Sequence, residues 1–142
     1  NERVSHGVRE DGKWYGLPVV VLLNKGSASA SEIVAGALKD RAGAFVVGET
    51  SFGKGLVQAV LELPNGAAMR LTIAEYLTAG GVSINEKGIE PHYVVELPEP
   101  ATPEEARARR LSTTYFSLED PQIQKALEVM QDILSGSLSQ AA

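Results

Sequence analysis

Two short aliphatic runs on either side of one helix-length segment constrain this chain more than anything else in it. Pro18-Val19-Val20-Val21-Leu22-Leu23 is continuous in β-branched and aliphatic residues, the pattern of a strand covered on both faces of a sheet. From Ala30 onward the apolar positions are Ala30, Ile33, Val34, Ala37 and Leu38, which is helical spacing with one buried stripe. That helix should end near Arg41 to Gly43, where Gly43 can supply a left-handed cap. Ala44-Phe45-Val46-Val47 then reads as a second strand. The order strand, helix, strand implies a parallel pair joined by a crossover, and therefore an α/β chain.

Past Gly55 the period changes to two. Val57, Ala59, Leu61 and Leu63 alternate with their neighbours, Pro64-Asn65-Gly66 makes a turn, and Ala68 to Leu77 resumes as a strand, so a β-hairpin is expected here. A Gly80-Gly81 turn follows, and Tyr93 to Leu97 forms a last short strand after Pro91. A C-terminal helix begins at Asp120, with Pro121 early in it and Ile123, Ala126, Leu127, Met130, Ile133 and Leu134 on one face. The division by domain is thus a polar linker or cut end over 1–13, a core over 14–97 starting at Trp14, a linker over 98–118, and a helix with a frayed tail over 119–142.

Composition removes several classes of function. A net charge of −5 argues against nucleic acid as a partner, because phosphate binding relies on clustered Lys and Arg. The basic cluster Arg107, Arg109 and Arg110 reads as a solvated helix face. With no cysteine there is no disulfide framework, no thiolate chemistry and no zinc site built on Cys, and the candidate serine chemistry requires neither a metal nor a cofactor. The longest apolar run, Leu17 to Leu23, is too short to span a bilayer, and the first residues lack the layout of a signal peptide.

The candidate chemistry lies at the first strand-to-helix junction, Gly26-Ser27-Ala28-Ser29-Ala30-Ser31-Glu32. Ser29 and Glu32 have the spacing of a capping box, so Ser29 can serve simply as a helix cap. The same geometry suits a nucleophile. A serine at a helix N-terminus sits beside unpaired amides and the positive end of the helix dipole, and the Ala30 amide is a natural oxyanion donor. Lys54, in Phe52-Gly53-Lys54-Gly55, is either an exposed turn residue or a general base. As a base it must be neutral near pH 7, which needs a depression of about three pKa units, or ~4 kcal/mol, from a model value of about 10.4. Burial against Phe52, Leu56 and the helix stripe is the expected source. Gln58, four residues on, can fold its amide toward the amine or lie on an exposed strand face. The two histidines, His6 and His92, read as structural or surface residues. Gly48 to Lys54 imitates a P-loop, but Gly55 stands where Ser or Thr would hold magnesium and an alternating strand follows in place of a helix, so nucleotide binding is not expected.

Three blocks, Asn24 to Ala35 (NKGSASASEIVA), Val47 to Gln58 (VGETSFGKGLVQ) and Lys87 to Pro91 (KGIEP), with Asp120-Pro121-Gln122 as a weaker fourth, closely resemble the carboxyl-terminal processing proteases, the tail-specific serine peptidases of the S41 class. The resemblance covers most of Pro18 to Leu134. It implies that Ser29, not Ser27 or Ser31, is the nucleophile, that Lys54 is the base and that Gln58 orients it. It also implies a ClpP/crotonase-like β-β-α spiral core, present here in part with a β-hairpin and a C-terminal helix. The family's upstream glycine-rich block and PDZ module are absent from these residues, so the chain resembles the C-terminal part of a catalytic domain, inactive or weak alone. The expected substrate is an unfolded C-terminal polypeptide tail, added as a strand along Arg70 to Ala74 with Leu71, Thr72 and Ile73 in contact. A homo-oligomer and an extracytoplasmic setting, periplasmic or membrane-associated, also accompany the resemblance. The competing reading is a non-catalytic binding or scaffold module of the same fold.

Overall fold

The computed structural model describes residues 16–111 and 117–139. The polar stretch Asn1 to Lys13 with His6, the expected start at Trp14 and the last residues of the tail lie outside them.

Strand β1 (Val20–Leu23) runs into helix α1 (Ala30–Arg41), which returns the chain to β2 (Phe45–Gly48). The strands pair in parallel with Val21 opposite Val46, as the strand-helix-strand order requires. At the end of α1 the amides of Ala42 and Ala44 both return to the Leu38 carbonyl, with Gly43 at φ 60° between them. Strand β5 (Tyr93–Val94) adds to the far side of β2, giving a sheet in the order β1-β2-β5. Strands β3 (Leu56–Glu62) and β4 (Ala68–Glu75) form a separate antiparallel hairpin, closed where Leu63 N–H donates to the Ala67 carbonyl at 2.8 Å. Helix α2 (Pro103–Leu111) occupies part of the span expected to be a bare linker. Helix α3 (Pro121–Leu134) packs on β1 and β2.

The core sits between α1 and the sheet, where Leu23, Ala35, Val46, Ile84 and Ile89 are buried together with Val21 packed against them. Parity along β2 puts Val47 on the opposite face, where it is equally buried. His92 contributes here as a structural residue. Its Nδ1 accepts the Val46 N–H at 2.9 Å and its ring meets Phe45 edge-on. Burial, with the charge of Lys39, holds the imidazole below its ordinary pKa, so the nitrogen stays free to accept.

Three expectations need correction. The chain does not form a ClpP/crotonase-like spiral: a spiral repeats β-β-α turns, whereas the described strands divide into one three-stranded parallel sheet and one separate hairpin. The stripe expected to be buried on α1 faces outward, with Val34 58% exposed, because Glu32, Ala35 and Gly36 turn inward instead. Small residues decide this, since a Cβ at Gly36 would come within 3.3 Å of Thr78 and 3.4 Å of Ile89. On α3 the buried set is Gln122, Ile123 and Val129, while Leu134, 71% exposed, extends past the sheet. Among the described residues no helix is long and apolar enough to cross a membrane.

The start of α3 is fixed by Asp120, whose carboxylate accepts the amides of Gln122 at 2.7 Å and Ile123 at 3.3 Å. Asp120→Ala is expected to destabilise the protein by about 1 kcal/mol in urea unfolding, the usual worth of such a cap. A change indistinguishable from zero would show that the packing of Ile123 and Val129 fixes the helix start without it.

Candidate active site

Six residues separate β1 from α1, and hydrogen bonds among them shape the turn. Asn24 accepts at its carbonyl from Ser27 N–H at 2.9 Å and at Oδ1 from Gly26 N–H at 2.9 Å, while Ser27 Oγ takes the Asn24 amide at 3.1 Å. The Ser27 hydroxyl is thereby spent on the turn. Ser29 follows with φ 58° and ψ −115°, a left-handed backbone that a residue with a Cβ adopts at a cost of about 1–3 kcal/mol. Its carbonyl accepts the amides of Glu32 at 2.9 Å and Ile33 at 3.1 Å, and its own amide donates to Glu32 Oε2 at 2.8 Å. Ser29 and Glu32 thus stand as the two ends of a capping box at the head of α1. The amide of Ala30, the first residue of α1, donates to no described residue.

Glu32 is 0% exposed and carries more than the return half of a capping box. Oε1 accepts from Ser51 Oγ and from Gly53 N–H, each at 2.6 Å, and Oε2 accepts from Lys54 N–H at 2.9 Å besides Ser29 N–H. Burial pushes the carboxyl up, but the hydrogen bonds from Ser51, Gly53, Ser29 and Lys54 together outweigh it and hold it below its ordinary value. It is therefore a carboxylate at neutral pH. The stability it contributes is present above the ordinary carboxyl range and lost as pH falls through the lowered folded value.

The loop after β2 is held on both sides. Toward α1, Phe52 N–H donates to the Ser27 carbonyl at 2.9 Å. Away from it, Ser51 Oγ accepts the Ile89 amide at 2.7 Å, Glu86 N–H reaches the Gly53 carbonyl at 2.8 Å and Tyr76 N–H reaches the Gly55 carbonyl at 2.6 Å. A Cβ at Gly55 would sit 2.7 Å from the Asn85 nitrogen, so the loop lies directly on the 84–89 segment. The P-loop likeness ends at this point, because strand β3 follows the loop.

Ser29, Lys54 and Gln58 line one cleft of about 350 Å³, with Leu56, Val57, Val60, Arg70 and Tyr76 completing its wall. Ser31 and Ala30 face a different hollow, between β1 and α1. Leu71, Thr72 and Ile73 lie on β4, exposed and outside the cleft lining; Thr72 is paired with Gln58, whereas Leu71 is paired with Ala59 on the alternate face. The apolar cover expected around Lys54 is not supplied by its neighbours: Lys54 is exposed, and Phe52 is 66% exposed. Ser51, Arg70 and Tyr76 were not singled out by sequence as site residues. Ser51 sits inside the P-loop imitation, and Arg70 and Tyr76 carry only the signal of an alternating strand. Among the described residues no three His, Cys, Asp or Glu side chains are grouped as metal ligands.

Comparison with known proteins places this arrangement. The model of Peptidase family S41 matches residues 2–95. A carboxy-terminal-processing protease of Bartonella bacilliformis is 55% identical over 83 residues, 58% of this chain and 19% of that protein. A carboxyl-terminal-processing protease of Picosynechococcus is 44% identical over 126 residues, 88% of this chain and 28% of that protein. The solved photosystem II D1 C-terminal processing protease superposes with a TM-score of 0.55 at 47% identity, covering 57% of this chain and 21% of that one. Three further solved structures, at 18% to 24% identity and TM-scores of 0.52 to 0.55, share the fold alone. These neighbours, together with the divided sheets, overturn the spiral-core expectation. The chain spans less than a third of the curated relatives it matches. On the family model and these relatives, the chain belongs to Peptidase family S41.

Proposed function

We propose that this chain carries the nucleophile and base of a serine-type peptidase that cleaves unfolded or C-terminal polypeptide segments through an acyl-enzyme. The observation that supports the reading best is that Ser29, at the head of α1, lines one cleft with Lys54 and Gln58, which lie beyond α1 and β2. In this mechanism neutral Lys54 takes the Ser29 hydroxyl proton as Oγ bonds to the scissile carbonyl carbon, and the Ala30 N–H holds the oxyanion. The tetrahedral intermediate then breaks its C–N bond, Lys54 returns the proton to the leaving amine, and water hydrolyses the ester by the reverse sequence. Gln58 orients the amine.

Lys54 is exposed in this structure, and on this reading the bound substrate or other parts of the whole protein cover it. Residues 14–97 form part of the peptidase core on this reading, and 119–142 supply a helix against the back of its sheet. Substrate adds as a strand to the hairpin at Leu71 to Ile73. An extracytoplasmic location and a homo-oligomer complete the proposal. The rival reading is a scaffold in which GSASASE is only a helix cap, and the capping box at Ser29 and Glu32 is the observation that favours it.

Treating the whole protein with a serine-directed acylating probe and mapping the adduct tests the assignment. The expected adduct is on Ser29. An adduct on Ser27 or Ser31, or none while an unfolded tail is still cleaved, would sink it.

A further inference from the structure

We propose that Glu32 is a positioning residue for the peptidase reaction, a buried carboxylate that sets the Ser29 turn and the Lys54 loop in one fixed relation by binding both backbones at once. The inference rests on the Ser29 and Lys54 reading above. Ser29 and Lys54 are separated in sequence by all of α1 and β2, yet their amides donate to the same oxygen, Oε2, at 2.8 Å and 2.9 Å. The second oxygen holds Ser51 and Gly53, and Ser51 Oγ passes the connection on to Ile89. One side chain therefore references three segments to each other.

An ordinary capping glutamate bonds only the cap amide and stays at the surface. Glu32 is fully buried, and its four recorded partners are hydrogen-bond donors rather than a counter-charged side chain. The carboxylate pairs four donors that an apolar group of similar size would leave unpaired, so it stabilises the fold as well as holding these segments together. An apolar group can neither pair nor aim them. Nor can an amide, because glutamine offers one acceptor oxygen: with its NH₂ at the Oε2 position it faces the Ser29 and Lys54 amides, and turned over it faces Gly53. The left-handed turn at Ser29 gives this tether something to hold, since it persists only where the surroundings over-determine it.

The test uses the whole protein, with acylation of Ser29 by the serine-directed probe and steady-state cleavage of an unfolded peptide as readouts. Glu32→Gln is expected to slow acylation and kcat by roughly 100-fold, the scale of a misplacement of about 1 Å, with KM within about twofold of wild type. Ser51→Ala leaves the carboxylate and three donors, and is expected to lower kcat about tenfold, again at nearly constant KM. A folded Glu32→Gln protein that acylates at the wild-type rate, or loses activity through KM alone, overturns the proposal. If Glu32→Gln does not fold, Ser51→Ala decides, and unchanged kcat there overturns it. Failure of both variants to fold makes the network a folding element and overturns it as well. Wild-type labelling on a residue other than Ser29 removes the peptidase assignment and this inference with it, whereas equal labelling of Ser29 in wild type and Glu32→Gln removes this inference alone.

Discussion

Ser29→Ala in the whole protein is expected to lower kcat for cleavage of an unfolded tail by about 10⁴-fold or more, and Lys54→Ala to do the same. The two losses should not add. On the proposed mechanism nucleophile and base act in one proton transfer, so once either is gone the other has nothing to exchange with, and the double variant should match the worse single one. Gln58 lines the same cleft, and since the proposed mechanism gives it an orienting role only, a smaller loss is expected from Gln58→Ala. Binding of the uncleaved peptide should survive in all three. Turnover retained by Ser29→Ala or Lys54→Ala, or multiplicative losses in the double variant, would contradict the dyad.

The parts of this arrangement that were legible in sequence are those with a local cause. Val20 to Leu23 and Phe45 to Gly48 are continuous aliphatic runs that form a parallel pair, and the Asn65-Gly66 turn closes the hairpin that the alternation implies. Gly43 sits with positive φ where the end of α1 was expected. The inward face of α1 was not legible, because periodicity counts apolar residues and the decisive ones here are a carboxylate and a glycine. Glu32 points into the protein because four donors wait there, and Gly36 lies under Thr78 and Ile89, which would stand 3.3 and 3.4 Å from a Cβ at that position. The outward turn of Ile33 and Val34 follows from those two. α2 was legible only as the helix face of Arg107, Arg109 and Arg110 within a span divided off as a linker, its nine residues carrying mostly charged and alanine positions with little apolar rhythm.

For the site, spacing supplied candidates and the tertiary contacts supplied their relations. Sequence presents Glu32 as the third residue of a capping box, which is half of what it does: its backbone partner at Ser29 is local, but Ser51, Gly53 and Lys54 come from beyond the next strand. Long-range hydrogen bonds of this kind leave no periodic trace. The exposure of Lys54 is the converse case, since neighbours such as Phe52 that are apolar in sequence do not cover it in space.

The KGIEP block has no reacting group of its own, and its contribution is steric, which gives the second large expected effect. Gly88 has φ +73°, and a methyl group there would overlap the Ser51 carbonyl oxygen and lie 2.9 Å from the Ser51 carbonyl carbon and 3.0 Å from its Oγ. Neither side can give way cheaply. Ser51 is tied to Glu32 through Oγ and to Ile89 through both its amide and its hydroxyl, while Gly88 N–H is itself held by the Ile84 carbonyl at 2.9 Å. Gly88→Ala is therefore expected to cost on the order of 4 kcal/mol: about 1–2 for a left-handed alanine, and about 2–3 for the overlap. Gly66 supplies the control, with φ +78° and nothing within 4 Å of its would-be Cβ. Gly66→Ala should lose only the backbone part, and the difference between the two variants in urea unfolding isolates the overlap. Gly88→Ala should also lower kcat where it folds, because relief of the clash moves Ser51 and with it the oxygen that holds Gly53 beside Lys54. Equal destabilisation by the two alanines, with full activity in both, would mean that the 84–89 segment merely passes the loop and does not press it into place.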